Sequence, residues 1–293
     1  MTWLRLYLDF IVFVFGAVIG SFLNVCVHRM PRDQSIVTPP SHCPHCNHHI
    51  RWIDNIPLVS YLVLRGKCRH CGASISPRYF LVELLTAVLF LLMWLKLTQW
   101  DHPPVHGIYF LKGPINWLVI GGLIVATFID FEHYIIPNEI TIGGIVVGLV
   151  LSAVYPPLQP VDLFTSWMLK FGPAGMPAWG AALFRSFTGV LVGGLTLLAV
   201  AMIGEAIFRK EAMGMGDVKL LAAIGAFFGW QSTLFTLFVS SMLGGVVGLV
   251  LVAGSKKGWH SRIPYGPYIA FGALLWMFYG REIMNWYVHF IRG

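Results

Sequence analysis

Two aspartates stand where apolar sequence makes a charged side chain expensive. Asp130 closes the apolar run 117–129, and Asp217 ends Gly214-Met215-Gly216-Asp217 just ahead of the apolar run 220–230. A lone carboxylate in or near hydrocarbon costs several kcal/mol, so such residues tend to be functional. Two carboxylates that share one proton can activate a water and protonate a leaving group. A second constellation lies earlier in the chain. Cys43-Pro44-His45-Cys46 and Cys68-Arg69-His70-Cys71 form paired C-x2-C motifs separated by 21 residues. Two residues between thiols let one tight turn aim both sulfurs at a single ion, and the second pair completes a tetrahedron. A four-thiolate site has no open position for water, so the expected Zn2+ is structural. Two disulfides or a redox pair are the alternatives; a reducing compartment and the doubled motif weigh against them. His42, His45, His48, His49 and His70 crowd the same loop and are expected to be solvated or to support the thiolates.

The elements that position these residues are expected to be membrane helices. The chain of 293 residues is 57% hydrophobic and 11% charged, against the roughly 25% charged of soluble domains. The expectation is an all-α polytopic membrane protein with about eight transmembrane helices and a small cytoplasmic zinc-binding loop. The apolar segments are 4–27, 80–98, 115–131, 139–155, 185–207, 218–231, 232–254 and 265–281. The sixth is short for a span, and its split from the seventh is set at Trp230-Gln231. The first segment holds Asp9 and is read as a retained span. The domains expected are a first helix at 1–27, a zinc-binding domain at 28–79 and a membrane bundle at 80–293.

Orientation follows from Lys and Arg. With loop 28–79 inside, the inside loops hold 13 of the 20: seven in 28–79, three in 208–219 and three in 254–262. This bias places the N-terminus outside and the loop in the cytoplasm. Asp130 and Asp217 then share the cytoplasmic side. The formal charge of +7 reads as topology and headgroup anchoring on the lipid bilayer, with no nucleic-acid partner. Small residues four apart at Gly16/Gly20, Gly144/Gly148, Gly189/Gly193, Gly225/Gly229 and Gly244/Gly248 predict close helix packing.

The remaining acids divide by context. Asp33, Asp54, Asp101, Asp162, Glu211 and Glu282 are expected to be solvated. Asp9 and Glu205 read as interfacial or helix-pairing residues. Glu83 lies one turn into the second span, where dipole stabilisation is the simplest role. Glu132 and His133 follow Asp130. Asn138, after Pro137, is expected to cap the next helix. Gly214 and Gly216 free the backbone before Asp217. Lys219 is expected to snorkel to headgroups.

Several stretches together resemble the bacterial type IV prepilin peptidases, membrane aspartic proteases of the G-x-G-D class. They are Gly20-Ser21-Phe22-Leu23-Asn24-Val25, Arg51-Trp52-Ile53-Asp54-Asn55-Ile56-Pro57 and Leu64-Arg65-Gly66-Lys67-Cys68. They continue through Ile129-Asp130 with Ile136-Pro137-Asn138, Gly214 to Leu220, and Ile263-Pro264-Tyr265-Gly266-Pro267. The resemblance implies removal, after a glycine, of the short basic leader of type IV prepilins or pseudopilins, serving a type IV pilus or type II secretion. It also implies N-methylation of the new terminus with S-adenosylmethionine. It assigns catalysis to Asp130 and Asp217 and zinc to Cys43, Cys46, Cys68 and Cys71. Asn138 departs from the family pattern, in which many members have Asp. No soluble Rossmann-type glycine motif is present, so no methyl-donor residues are assigned. Rival readings are a peptidase without methyltransferase activity, a proton-coupled transporter, and a metal-tethered scaffold.

Overall fold

Some helix ends are set by a cap or a positive-φ residue: Ser76 Oγ accepts the Arg78 N–H at 3.3 Å, and Tyr134, Arg209 and Gly229 take φ of +57°, +52° and +79°. The computed structural model describes residues 2–100, 111–159, 177–209, 213–254 and 264–292. Asp101, Asp162, Glu211, Ile263 and the basic residues Lys210, Lys256, Lys257 and Arg262 lie outside the described residues. The described residues form helices α1 (Thr2–Arg29), α2 (Val59–Val63), α3 (Pro77–Leu95), α4 (Lys112–His133) and α5 (Asn138–Val154). They continue with α6 (Ala178–Phe208), α7 (Met215–Phe228), α8 (Trp230–Gly254) and α9 (Gly266–Arg292). The eight long helices overlap the eight apolar segments. Among the described residues, five helical stretches are long and apolar enough to cross a membrane: Trp3–Arg32, Pro77–Thr98, Lys112–His133, Ala178–Ile207 and Trp230–Leu251. Helix α5 is shorter, and α7, at 14 residues, is shorter still.

The chain divides into two compact units, Met1–Ile129 and Asp130–Gly293. In the first unit α1 packs against α3. A Cβ added at Gly16 would lie 2.7 Å from the Ala87 Cα, and one at Gly20 would lie 2.7 Å from the Glu83 Cα. Absent Cβ atoms thus let the two backbones touch. Asp9 accepts the Trp94 indole N–H at 2.9 Å, the helix-pairing role expected of it. Trp117 of α4 stacks on Phe90 and donates to its carbonyl at 3.1 Å.

In the second unit α7 is the hub. Residues Asp217 to Phe227 are nearly all buried, packed by α5, α6, α8 and α9. Gly189 of α6 meets the Gly225 backbone so closely that no side chain fits between them, and a Cβ at Gly193 would lie 2.7 Å from the Leu221 carbonyl. Gly148 of α5 faces Ala226 in the same way.

A short helix buried in an apolar bundle must find partners for its last carbonyls. Ser152, Ser186 and Gln159 supply them. Ser186 Oγ donates to the Ala226 carbonyl at 2.6 Å and Ser152 Oγ at 3.2 Å. Gln159 Nε2 reaches the Ala226 and Phe227 carbonyls at 3.0 and 3.1 Å. Gly229, at φ +79°, ends α7 in a left-handed turn. The break between the sixth and seventh apolar segments is therefore Gly229, one residue before the expected Trp230-Gln231 split.

Substituting Gly189→Ala should destabilise the protein by about 3 kcal/mol, the upper end for overpacking a core, because the new methyl meets backbone. Gly143→Ala, inside α5 and with an added Cβ that meets nothing within 4 Å, should instead raise stability by up to about 1 kcal/mol, the ordinary gain of alanine over glycine in a helix. Thermal unfolding in detergent measures both.

Candidate functional site

Asp130 lies in the last turn of α4, which stops because Tyr134 turns left-handed at φ +57° with its N–H on the Asp130 carbonyl at 3.0 Å. The Asp130 side chain is buried, and its Oδ2 accepts the Gly266 N–H at 2.9 Å. Gly266 is the first residue of α9, so the carboxylate sits on a helix N-terminus. A Cβ there would lie 2.8 Å from Oδ2, which explains why this position takes glycine.

Asp217 sits in the first turn of α7, after the N-cap Gly214, and outside the five long apolar helices. Its burial and the negative charge of Asp130 push its carboxyl up to about 7, against a backbone hydrogen bond from Gly214. That charge is felt because both acids are in one unit and around one residue. Ile136 backs onto Gly216, 3.1 Å from an added Cβ, and onto Gly266, also at 3.1 Å. The Asp217 Oδ1 is buried with no hydrogen-bond partner among the described residues.

Two neighbouring expectations need correction. Asn138 does not cap α5: Pro137 occupies that position, and no side-chain cap forms. Instead Asn138 Oδ1 accepts a hydrogen bond from Lys219 Nζ at 2.9 Å. Lys219 therefore bridges α7 to α5, a fixed partner that the snorkelling role did not anticipate.

The cysteines come together as expected. The sulfurs of Cys43, Cys46, Cys68 and Cys71 all lie within 4.8 Å of one another, with Cys43 and Cys71 at 3.8 Å. Tetrahedral Zn–S bonds of about 2.3 Å place sulfurs about 3.8 Å apart, so the cluster fits such an ion. All four cysteines are free. The Cys71 and His70 N–H groups pull the Cys68 thiol down to about 7, whereas Cys71, against the pull of the Ala73 N–H, is pushed up to about 11 by burial and its three sulfur neighbours. Four thiolates this close need a cation between them.

The two halves of this site repeat one design. Ser41-His42-Cys43 to Ile50 and Gly66-Lys67-Cys68 to Ile75 superpose residue for residue in their hydrogen bonds. Ile50 N–H donates to the Ser41 carbonyl at 3.0 Å, and Ile75 N–H to the Gly66 carbonyl at 2.7 Å. Single bridges pair His42 with His49 and Lys67 with Ser74. Asn47 and Gly72, each four residues after a first cysteine, both take positive φ. No strand longer than a bridge forms among the described residues of the loop. The shared Cys-x-His-Cys-x3-Ile pattern was the available signal for this repeat.

Asp54 is not simply solvated. Arg69 holds it by Nη2 at 2.7 Å and Nε at 2.8 Å, joining residues 52–55 to the second cysteine turn.

Comparison with known proteins follows the same division. The bacterial peptidase A24 N-terminal domain matches residues 14–97, and the type IV leader peptidase family matches residues 117–249. A relative from Aeromonas hydrophila is 34% identical over 95% of this chain and 93% of its own length. The chain belongs to the type IV leader peptidase family. Other family members include proteins of Pseudomonas aeruginosa, 31% identical over 94% of this chain and 91% of theirs, and Myxococcus xanthus. The latter is 39% identical over 84% of this chain, but the match spans 64% of the relative. All three relatives carry the name prepilin leader peptidase/N-methyltransferase. No solved structure matches the chain. Both cysteine turns fall within the first matched stretch, and both aspartates of this family member within the second.

Purified from membranes, the chain should carry one tightly bound metal ion, counted by elemental analysis. The double substitution Cys43→Ser, Cys71→Ser should reduce it to near zero.

Proposed function

We propose that this enzyme cuts the leader from type IV prepilins or pseudopilins and then methylates the exposed N-terminus, with Asp130 and Asp217 as the proteolytic dyad. The observation that carries the reading is the buried pair itself, in which the charge of Asp130 raises its neighbour. Family membership and the names of the relatives support the two activities. Cleavage after glycine, S-adenosylmethionine as the methyl donor and a cytoplasm-facing site in the inner membrane rest on the family resemblance and the charge bias.

The chemistry divides between the acids. Asp130, steadied by the Gly266 N–H, is the ionised partner and takes a proton from the attacking water. Asp217, with its raised carboxyl, holds the proton that polarises the scissile carbonyl. That proton later helps protonate the leaving amine. Burial keeps both transfers out of bulk water. The four cysteines hold Zn2+, which staples residues 28–79 within the first unit. A loop with so few apolar side chains needs such a staple.

Incubation of the protein with a short-leader precursor and methyl donor, read by intact mass, separates leader loss from methyl gain. Asp130→Asn and Asp217→Asn should each slow leader loss by about 100-fold or more while the protein still inserts. Near-normal processing by either variant refutes the dyad.

The pH dependence has a definite sign. Asp217 is protonated below its raised value and loses the proton as pH rises through about 7, so leader cleavage should fall above pH 7. A cleavage rate still climbing at pH 8 to 9 would contradict the assignment of Asp217 as proton holder.

A further inference from the structure

The first unit contains a buried carboxylate that the proteolytic dyad does not use. Glu83 of α3 is 9% exposed. Its Oε2 accepts the Leu58 N–H at 2.8 Å, and the Ser21 hydroxyl of α1 lies beside it. Both partners are neutral. Leu58 holds its N–H in place with a left-handed φ of +62°, costly for a leucine. Glu83 is seven residues into α3, past the reach of the helix dipole that its sequence position suggested.

One turn away on α1, Asn24 is 2% exposed. Its Nδ2 donates to the Tyr79 carbonyl at 2.9 Å, which fixes the amide orientation and leaves Oδ1 as the free end. That oxygen is buried with no hydrogen-bond partner. Glu83, Ser21, Asn24 and Tyr79 all line one cavity of about 1490 Å³, which extends to Trp52 and His70 of the cysteine loop. A buried carboxylate held only by neutral partners and a buried carbonyl oxygen without a donor belong to residues that line the same space. Their common complement is a group that is both cationic and rich in N–H donors. An ammonium is such a group.

We propose that Glu83 and Asn24 seat the primary N-terminal amine of the processed substrate for methyl transfer, and that Glu83 is the base for that step. This rests on the methyltransferase half of the proposed function. An ammonium has no lone pair, so it must lose a proton before it can attack. The proton passes to the Glu83 carboxylate. The amine nitrogen then forms the N–C bond to the methyl of a sulfonium donor as the S–C bond breaks, and the bonding pair stays on sulfur as a neutral thioether. Asn24 Oδ1 and the Leu58-held carboxylate orient the nitrogen, and the size of the cavity leaves room for a donor beside it.

The test uses the full-length protein in detergent and a synthetic pilin N-terminal segment bearing a free amine, with its N-acetylated form as control. Without methyl donor, Glu83→Gln should weaken binding of the free-amine segment at least about tenfold and leave the acetylated segment unchanged. With precursor and S-adenosylmethionine, the same variant should remove the leader at the wild-type rate but methylate about 100-fold more slowly. Glu83→Asp should recover part of the loss. Binding of S-adenosylmethionine alone should be unaffected. If Glu83→Gln weakens that binding instead of the segment's, the seat belongs to the donor's own ammonium and the proposal is overturned. Wild-type methylation by Glu83→Gln also overturns it. If that variant does not insert, Asn24→Ser and Glu83→Asp decide the matter through the same binding comparison. If the wild-type protein binds the free-amine segment but neither cuts nor methylates, the proposed function fails and the seat stands.

Discussion

A carboxylate inside an apolar bundle must be neutralised, paired or hydrogen-bonded, and this chain uses one device for all three of its featured buried acids. Asp130 accepts the N–H of Gly266 at the start of α9. Asp217 is bonded by the backbone of Gly214, the N-cap of α7. Glu83 accepts the N–H of Leu58, the N-cap of α2. Asp130 and Asp217 thus sit on the N-termini of full helices, where unpaired N–H groups and the helix dipole favour negative charge, while Glu83 meets a single backbone N–H ahead of a five-residue helix. The ion pair of Arg69 with Asp54 lies in the cysteine loop, away from these three acids. Backbone donors stabilise a charge without cancelling it. A carboxylate held this way can still exchange a proton, which a tight Arg pair would prevent.

That device constrains the second unit. For Asp217 to be both buried and at a helix start, a helix has to begin inside the bundle, so α7 must be short. A short buried helix leaves its C-terminal carbonyls inside as well, and Ser152, Ser186 and Gln159 are the cost of that arrangement. Its central position also removes room for side chains where other helices cross it. The glycines at 189, 193 and 148 follow from that, and so does Gly225 on α7 itself. The acid, the short helix, the polar cap and the glycine contacts are consequences of one placement.

Much of this was legible in the sequence because the signals are local. Apolar runs, C-x2-C spacing and small residues four apart each report on contacts within a few turns, and the helices, the sulfur cluster and the close packing correspond. What was not legible depends on residues far apart in the chain. Gly266 stands 136 positions from Asp130, and only the backbone path through Ile136 and the start of α9 brings its N–H there. Asn138 looked like a cap because its type and place fit one, but Pro137 took the capping position, freeing the amide for Lys219. The repeat of the cysteine turns was hidden because only the cysteines, one histidine and one isoleucine recur; the matching backbone turns at Asn47 and Gly72 use different residue types.

The cysteine loop and the buried Glu83 are linked by the same reasoning. Leu58, whose strained backbone presents its N–H to Glu83, lies between the two cysteine turns in sequence. A left-handed leucine persists only where its surroundings over-determine it. The two turns fix the chain on either side through the sulfur cluster, and Asp54 with Arg69 ties the segment just before Leu58 to the second turn. A metal that makes no contact with a reacting group can therefore still set the geometry of a buried carboxylate, by holding the one backbone donor that the carboxylate depends on.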